Sequence, residues 1–294
     1  MNDYQSDLQE EAARWGSEAA QQARITPPDW RYHRNLRHNV IMHTADIDAL
    51  LAHVQPGMKT LELGCGSGWL TLAMAQRGAQ ATGIDVSDGA LQVARDYDAQ
   101  VRAETPGSVE YRAADLNYLE LPAETYDLVV VKGTLHHLMR LDHVISEIAT
   151  SLKPGGLLWV NDSDGDEAFL TVLVASGLTF LLPTEVGYGE KLRALRRFGL
   201  RSPSRVKASM EAEGSSPFEG AGREHDWLAL IRQSFSIEAE GRAPAFTGYL
   251  TAQLKLPDKL ALPLLRLIRA LDRLLVRAHL LHSSGVVLYA RKAR

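Results

Sequence analysis

The residue types with the clearest chemical use are three glycines in the run Leu61-Glu62-Leu63-Gly64-Cys65-Gly66-Ser67-Gly68-Trp69-Leu70. Glycine admits left-handed backbone and lets a ligand approach the main chain, and a helix that starts just after such a loop offers unpaired amides to a negative or polar group. The pattern points to a nucleotide-type cofactor. A dinucleotide loop would carry its third glycine three positions after the second, where this chain has Trp69, so a pyrophosphate is disfavoured. Further on, Asp85 closes the run Ala81-Thr82-Gly83-Ile84, and Asp115 closes Arg112-Ala113-Ala114. A carboxylate at one strand end can accept from both hydroxyls of a ribose, and one at the next can accept from an adenine amino group, so the pair predicts an adenosyl ligand.

These groups cooperate only if the surrounding elements bring their ends together. From Met58 onward, short apolar runs alternate with helical patterns, the signature of βαβ units and a mostly parallel sheet. Strands are expected at 60–63, 81–85, 109–113, 126–131 and 157–162, with helices at 69–77, 88–97 and 143–152. Ser87 is expected to cap the second of these helices, and Lys153-Pro154-Gly155-Gly156 to form the turn before the fifth strand. The fold class is therefore α/β, doubly wound. Its organisation reads as a helical N-terminal cap over 1–54, a cofactor-binding core over 55–162 and an inserted substrate lid over 163–225. The core ends over 226–294, with an amphipathic helical insertion at 250–282 and a last strand at 285–291.

Composition narrows the function classes. The chain has 32 basic and 36 acidic residues and a net charge of -4, which provides no bulk field for a polyphosphate, so no nucleic-acid partner is expected. Its single cysteine, Cys65, excludes an intrachain disulfide and a thiolate metal cluster, and fits a reducing cytoplasm. The N-terminus is acidic and polar, unlike a secretory leader, and the apolar run over 168–182 falls short of the roughly 20 residues that span a bilayer. That run is expected to be buried or to form a lid. In the N-terminal region Trp30, Leu36 and Val40 are expected to pack on the core, while Tyr32 and His38 are candidates to cap a ligand pocket.

Taken together these blocks resemble the class I S-adenosylmethionine-dependent methyltransferases, particularly the small-molecule branch that includes quinone-biosynthesis enzymes. The likeness is carried by residues 61–75, 83–87, Asp115, Tyr126-Asp127-Leu128-Val129-Val130-Val131 with Leu135-His136-His137-Leu138, and Leu152-Lys153-Pro154-Gly155-Gly156-Leu157. It implies a Rossmann-like sheet of seven strands whose last is antiparallel. It also implies that Glu62, Gly64, Cys65, Gly66 and Gly68 surround the methionine part of S-adenosylmethionine. Asp85 with Val86 would hold the ribose, and Asp115 with Leu116 the adenine, while the Lys132 carbonyl would lie near the methionine ammonium.

The expected reaction is methyl transfer to oxygen or nitrogen of a small, partly apolar or sugar-bearing acceptor, with S-adenosylhomocysteine as product and no metal. A hydroxyl acceptor benefits from a base. His136 and His137 follow the fourth strand, where acceptor and methyl group meet, and only one of them is expected to face the pocket. His225 is a further catalytic candidate and Glu219 a substrate candidate, both on the inserted segment. A catalytically silent cofactor-binding scaffold is the alternative from another class. Arg266, Arg269, Arg273 and Arg277 fall on one helical face opposite leucines, which suits either a docked helix with a solvated stripe or contact with a membrane surface and a lipid-linked acceptor through 260–281.

Overall fold

The computed structural model describes residues 2–163, 169–198, 217–218 and 226–292. The helical N-terminal region comprises α1 (Asn2–Ala23), α2 (Trp30–His33), α3 (Arg37–Met42) and α4 (Thr44–Ala52). The alternating core follows as β1 (Lys59–Leu63), α5 (Trp69–Ala75), β2 (Gln80–Asp85), α6 (Asp88–Val101), β3 (Ser108–Ala113), β4 (Tyr126–Lys132), α7 (Leu141–Ser151) and β5 (Leu152–Asp162). Helices α8 (Phe169–Leu181) and α9 (Tyr188–Phe198) come next. The chain then forms α10 (Trp227–Ser234), β6 (Ser236–Arg242), α11 (Thr247–Gln253), α12 (Asp258–Arg277) and β7 (Val286–Arg291).

The seven strands lie in the order β3-β2-β1-β4-β5-β7-β6. Strands β1 to β5 are parallel, whereas β7 runs antiparallel to both β5 and β6. Chain order reverses between β1 and β4, and ligands of open parallel sheets bind in the crevice outside the carboxyl ends at such a reversal. Alternation along the strands buries both faces. Leu61, Leu63, Val129 and Val131 meet α7 and α10, while Leu128, Val130 and Trp159 meet α2, α4 and α5. A third cluster, with Ile41, Ala175, Leu250, Leu265 and Ile268, joins α3, α8, α11 and α12.

Three details differ from expectation. Strand β5 starts at Leu152, because Leu152 already pairs with Tyr126 and the Lys153-Pro154-Gly155-Gly156 segment is absorbed as a register shift in the ladder. Leu36 remains exposed while Ile41 is buried, since α3 turns its next apolar side chain toward α11 and α12. In α12 the buried face is Ala261, Leu265, Ile268, Asp272 and Val276, whereas Leu260, Leu267, Leu271 and Leu274 point outward. Asp272 explains that choice. Its carboxylate accepts from the amides of Ala245, Phe246 and Thr247 and from the Thr247 hydroxyl, which satisfies the start of α11 and fixes the rotation of α12.

Candidate active site

The loop between β1 and α5 puts Gly64, Gly66 and Gly68 in the left-handed region, at φ of 71°, 51° and 73°. A Cβ on Gly64 would strike Thr134 and one on Gly68 would strike Tyr111, so both glycines serve close approach within the protein. At Gly66 the same direction is open space, which leaves room for a ligand against its backbone. The Gly66 amide donates to Asp85 Oδ2 (2.8 Å), and the Ser87 amide to Asp85 Oδ1 (2.9 Å). Loop and strand end are thereby tied together, while lone pairs remain on each carboxylate oxygen. Ser87 also accepts from the Ala90 amide, the helix cap that the sequence predicted.

Glu62 lies buried beneath this loop and accepts from the Thr71 hydroxyl. Burial pushes its carboxyl up to about 8 despite that hydrogen bond and the nearby Lys132. Cys65 is buried and its thiol is pushed well up, so it behaves as a small apolar residue. Val86 is half-buried beside Asp85, and Leu116 is buried at the start of a short 3-10 turn. Asp115 caps that turn through the Asn117 amide and accepts from the Tyr4 hydroxyl at 2.6 Å.

Tyr4 belongs to α1, which crosses this edge. Gly16 of α1 faces Gly89 of α6, and the Ser87 hydroxyl donates to the Ala12 carbonyl. Buried Glu11 accepts from Trp15 and lies 3.5 Å from His137 Nδ1, and Trp15 meets the His137 ring edge-on. His136 and His137 sit on the 3-10 turn that follows β4, with ring centroids 4.1 Å apart. They turn toward different partners. His136 Nδ1 is 2.5 Å from Asp162 Oδ1, and Asp162 Oδ2 accepts from the amides of Thr134 and Leu135.

A methyltransferase-domain family model matches residues 61–160. A ubiquinone biosynthesis O-methyltransferase of Bordetella avium is 34% identical over 188 residues, covering 62% of this chain and 71% of that protein. The chain belongs to the class I S-adenosylmethionine-dependent methyltransferases. Another ubiquinone biosynthesis O-methyltransferase, of Coxiella burnetii, is 30% identical over 129 residues, covering 43% of this chain and about half (53%) of that protein. The fold is also that of a geranyl diphosphate C-methyltransferase from Streptomyces coelicolor A3(2), at TM-score 0.52 and 14% identity over 85% of this chain and 79% of that one.

S-adenosylmethionine is the cofactor of this methyltransferase, and the residues fit it: an open approach at Gly66, an anchored carboxylate at the end of β2 and another at the end of β3. Asp162, the acid at the end of β5, escaped the sequence reading. It obeys the strand-end rule that singled out Asp85 and Asp115, and that rule would have found it. Glu11, Trp15 and Tyr4 were also missed, because nothing in a helix sequence tells which sheet edge it will cross. His38 bonds to Thr251 and its ring lies 5.1 Å from His43, whereas Tyr32 is half-exposed. His225 and Glu219 lie outside the described residues. Among the described residues no group of histidine, cysteine and carboxylate side chains could hold a metal, and His143 is engaged by the Leu119 carbonyl. A surface hollow of about 220 Å³ beside His53, Asp127 and Lys153 shares no residue with this site.

Proposed function

We propose that this methyltransferase methylates a hydroxyl of a small, partly apolar acceptor, with His136 as the base and Asp162 as the group that orients it. The carrying observation is the 2.5 Å contact between His136 Nδ1 and Asp162 Oδ1. With Asp162 holding the ring proton on Nδ1, Nε2 is the basic nitrogen, as in other carboxylate–histidine pairs. S-adenosylmethionine supplies a methyl group made electrophilic by its sulfonium. The chain's task is to align the acceptor oxygen, take its proton at His136 Nε2 and exclude water, which α1 serves by crossing the crevice. The names of the relatives, O-methyltransferases of ubiquinone biosynthesis, support oxygen over nitrogen. Asp85 and Val86 are assigned to the ribose and Asp115 and Leu116 to the adenine. Glu62, Gly64, Cys65, Gly66, Gly68 and the Lys132 carbonyl are assigned to the methionine portion.

The test is a panel of phenols and catechols assayed for S-adenosylhomocysteine release by wild type and His136→Gln. Turnover of a hydroxyl acceptor that falls in the variant by about 10² or more supports the assignment. Equal turnover by both proteins rejects it, and absence of release with every acceptor in the panel and in a parallel amine panel favours a silent cofactor-binding scaffold.

A second reading concerns where the acceptor resides. Leu267, Leu271 and Leu274 form an exposed stripe on α12 continued by Leu260, and Arg266, Arg273 and Arg277 flank it. No helix among the described residues is long and apolar enough to cross a membrane. An apolar stripe beside cations suits the surface of an anionic bilayer, and hence a lipid-linked acceptor. Sedimentation with phosphatidylglycerol vesicles at low salt, lost in Leu267→Ser/Leu274→Ser, is the expected result; wild type left in the supernatant refutes it.

A further inference from the structure

The turn that carries His136 is held at both ends by side chains from other strand ends. At its entry, Asp162 Oδ2 accepts from two consecutive amides, those of Thr134 (2.7 Å) and Leu135 (2.6 Å). At its exit, Asn117 Oδ1 accepts from another consecutive pair, Met139 (2.8 Å) and Arg140 (3.0 Å). Between them the chain closes on itself, with the His137 amide donating to the Thr134 carbonyl and the Leu138 amide to the Leu135 carbonyl. Arg140 precedes α7 without offering a side-chain cap, and the Asn117 oxygen serves that junction instead.

Asn117 itself is buried, at 3% exposure. Backbone N–H groups only donate, so its oxygen faces Met139 and Arg140 and its NH2 group points the other way. That NH2 group donates to Tyr4 Oη (3.1 Å) and to Asp115 Oδ1 (3.3 Å), while the Tyr4 hydroxyl donates to Asp115 Oδ2. Burial and the neighbouring Asp115 raise the Tyr4 hydroxyl above its usual range, so it keeps the proton it donates. One amide thus joins the exit of the His136 turn, the carboxylate at the end of β3 and helix α1. A buried amide is tolerated when its bonds are made, and a fully bonded network fixes the relative positions of its members.

We propose that Asn117 is a positioning residue for methyl transfer, which fixes the His136 turn from its exit and refers the base to the carboxylate assigned to the donor's adenine. Donor and base then share one anchor. A turn free at its exit would let the imidazole swing about the Asp162 contact, and a misplacement of about 1 Å at a reacting group can cost about 10²-fold in rate. The proposal rests on His136 as the base and Asp115 as the adenine acceptor, and its test reads the turn itself rather than turnover.

The full chain is compared by NMR as wild type, Asn117→Ala and Leu121→Ala, each checked for fold by circular dichroism. Leu121 is buried in the same β3–β4 connection and its amide donates to Glu147, so its alanine variant reports loss of stability without loss of the Asn117 bonds. In wild type the His136 Nδ1 proton, in its 2.5 Å contact with Asp162, should resonate at low field and be identified by its absence from His136→Gln. Asn117→Ala should shift or erase that resonance and speed hydrogen exchange at Met139 and Arg140 by about tenfold or more, the worth of one lost hydrogen bond. Leu121→Ala should lower Tm and leave the resonance in place. If Asn117→Ala does not fold, Asn117→Ser, which also withdraws the accepting oxygen, takes its place. An unmoved His136 proton, or unchanged exchange at Met139 and Arg140, in a folded Asn117 variant overturns the proposal, and so does an equal shift of the proton in Leu121→Ala. Absence of the low-field proton from wild type refutes the His136–Asp162 pair itself, and the positioning role with it.

Discussion

Replacing Asp162 by asparagine separates a base-orienting carboxylate from a merely buried one. Asp162 accepts from the amides of Thr134 (2.7 Å), Leu135 (2.6 Å) and Ser163 (2.7 Å) and from His136 Nδ1 (2.5 Å). Asparagine keeps one accepting oxygen and presents an NH2 group where the other was, so two of the four donors then face a donor. At about 1.5–3 kcal/mol for each hydrogen bond to a charged group, the loss is about 3–6 kcal/mol. For a chain of this size that lowers Tm by about 6 °C or more. The same change removes the group that holds the proton on Nδ1, so kcat at saturating cofactor should fall by about 10² or more, the usual contribution of a positioned base. His136→Gln provides the comparison, since it should lose comparable activity while leaving the three backbone amides satisfied, so its Tm should fall less than that of Asp162→Asn. The assays are differential scanning fluorimetry and S-adenosylhomocysteine release. A variant with wild-type Tm and kcat would refute both the hydrogen-bond accounting and the orienting role.

Further consequences concern the cofactor cradle. Glu62, raised to about 8, carries its proton at pH 7, and a cationic sulfonium and ammonium against it should draw that value down, so binding S-adenosylmethionine should release a proton. Calorimetry in buffers of different ionisation enthalpy reads this, and Glu62→Gln should abolish it. Because the folded value lies above 4.5, Glu62 contributes stability present below about pH 4.5 and lost as pH rises to about 8; the glutamine variant should flatten that window. Gly68→Ala forces a side chain into a left-handed position against Tyr111, and should cost about 1–3 kcal/mol with loss of cofactor binding; a stable variant that binds normally would show the loop tolerates a Cβ. Tyr4→Phe unties α1 from Asp115 and should speed release of S-adenosylhomocysteine several-fold in stopped flow, whereas an unchanged rate would mean α1 does not gate the crevice.

Local signals made the core legible. The five parallel strands, the Ser87 cap and the glycine loop follow from period, turn chemistry and backbone freedom, all properties of short stretches, and the structure places them accordingly. The seven-strand count and the antiparallel β7 came from family resemblance instead. What stayed hidden depends on tertiary choice. Leu267 and Leu274 read as the docking face of α12, but Asp272 anchors the opposite face through the α11 amides, and no helical pattern announces a buried aspartate that caps a distant helix. Glu11 and Trp15 look like an ordinary helix pair until α1 is laid across His137.

The proposed cofactor site requires that the glycine loop and Asp85 hold an adenosyl sulfonium donor at the β1/β4 reversal. Isothermal titration of the wild-type protein and Asp85→Ala with S-adenosylhomocysteine tests it most directly. Saturable one-to-one binding by wild type and a loss of about tenfold or more in the variant are expected, the worth of charge-assisted hydrogen bonds to a ribose. Absence of binding by wild type, or equal affinity in both proteins, would contradict it.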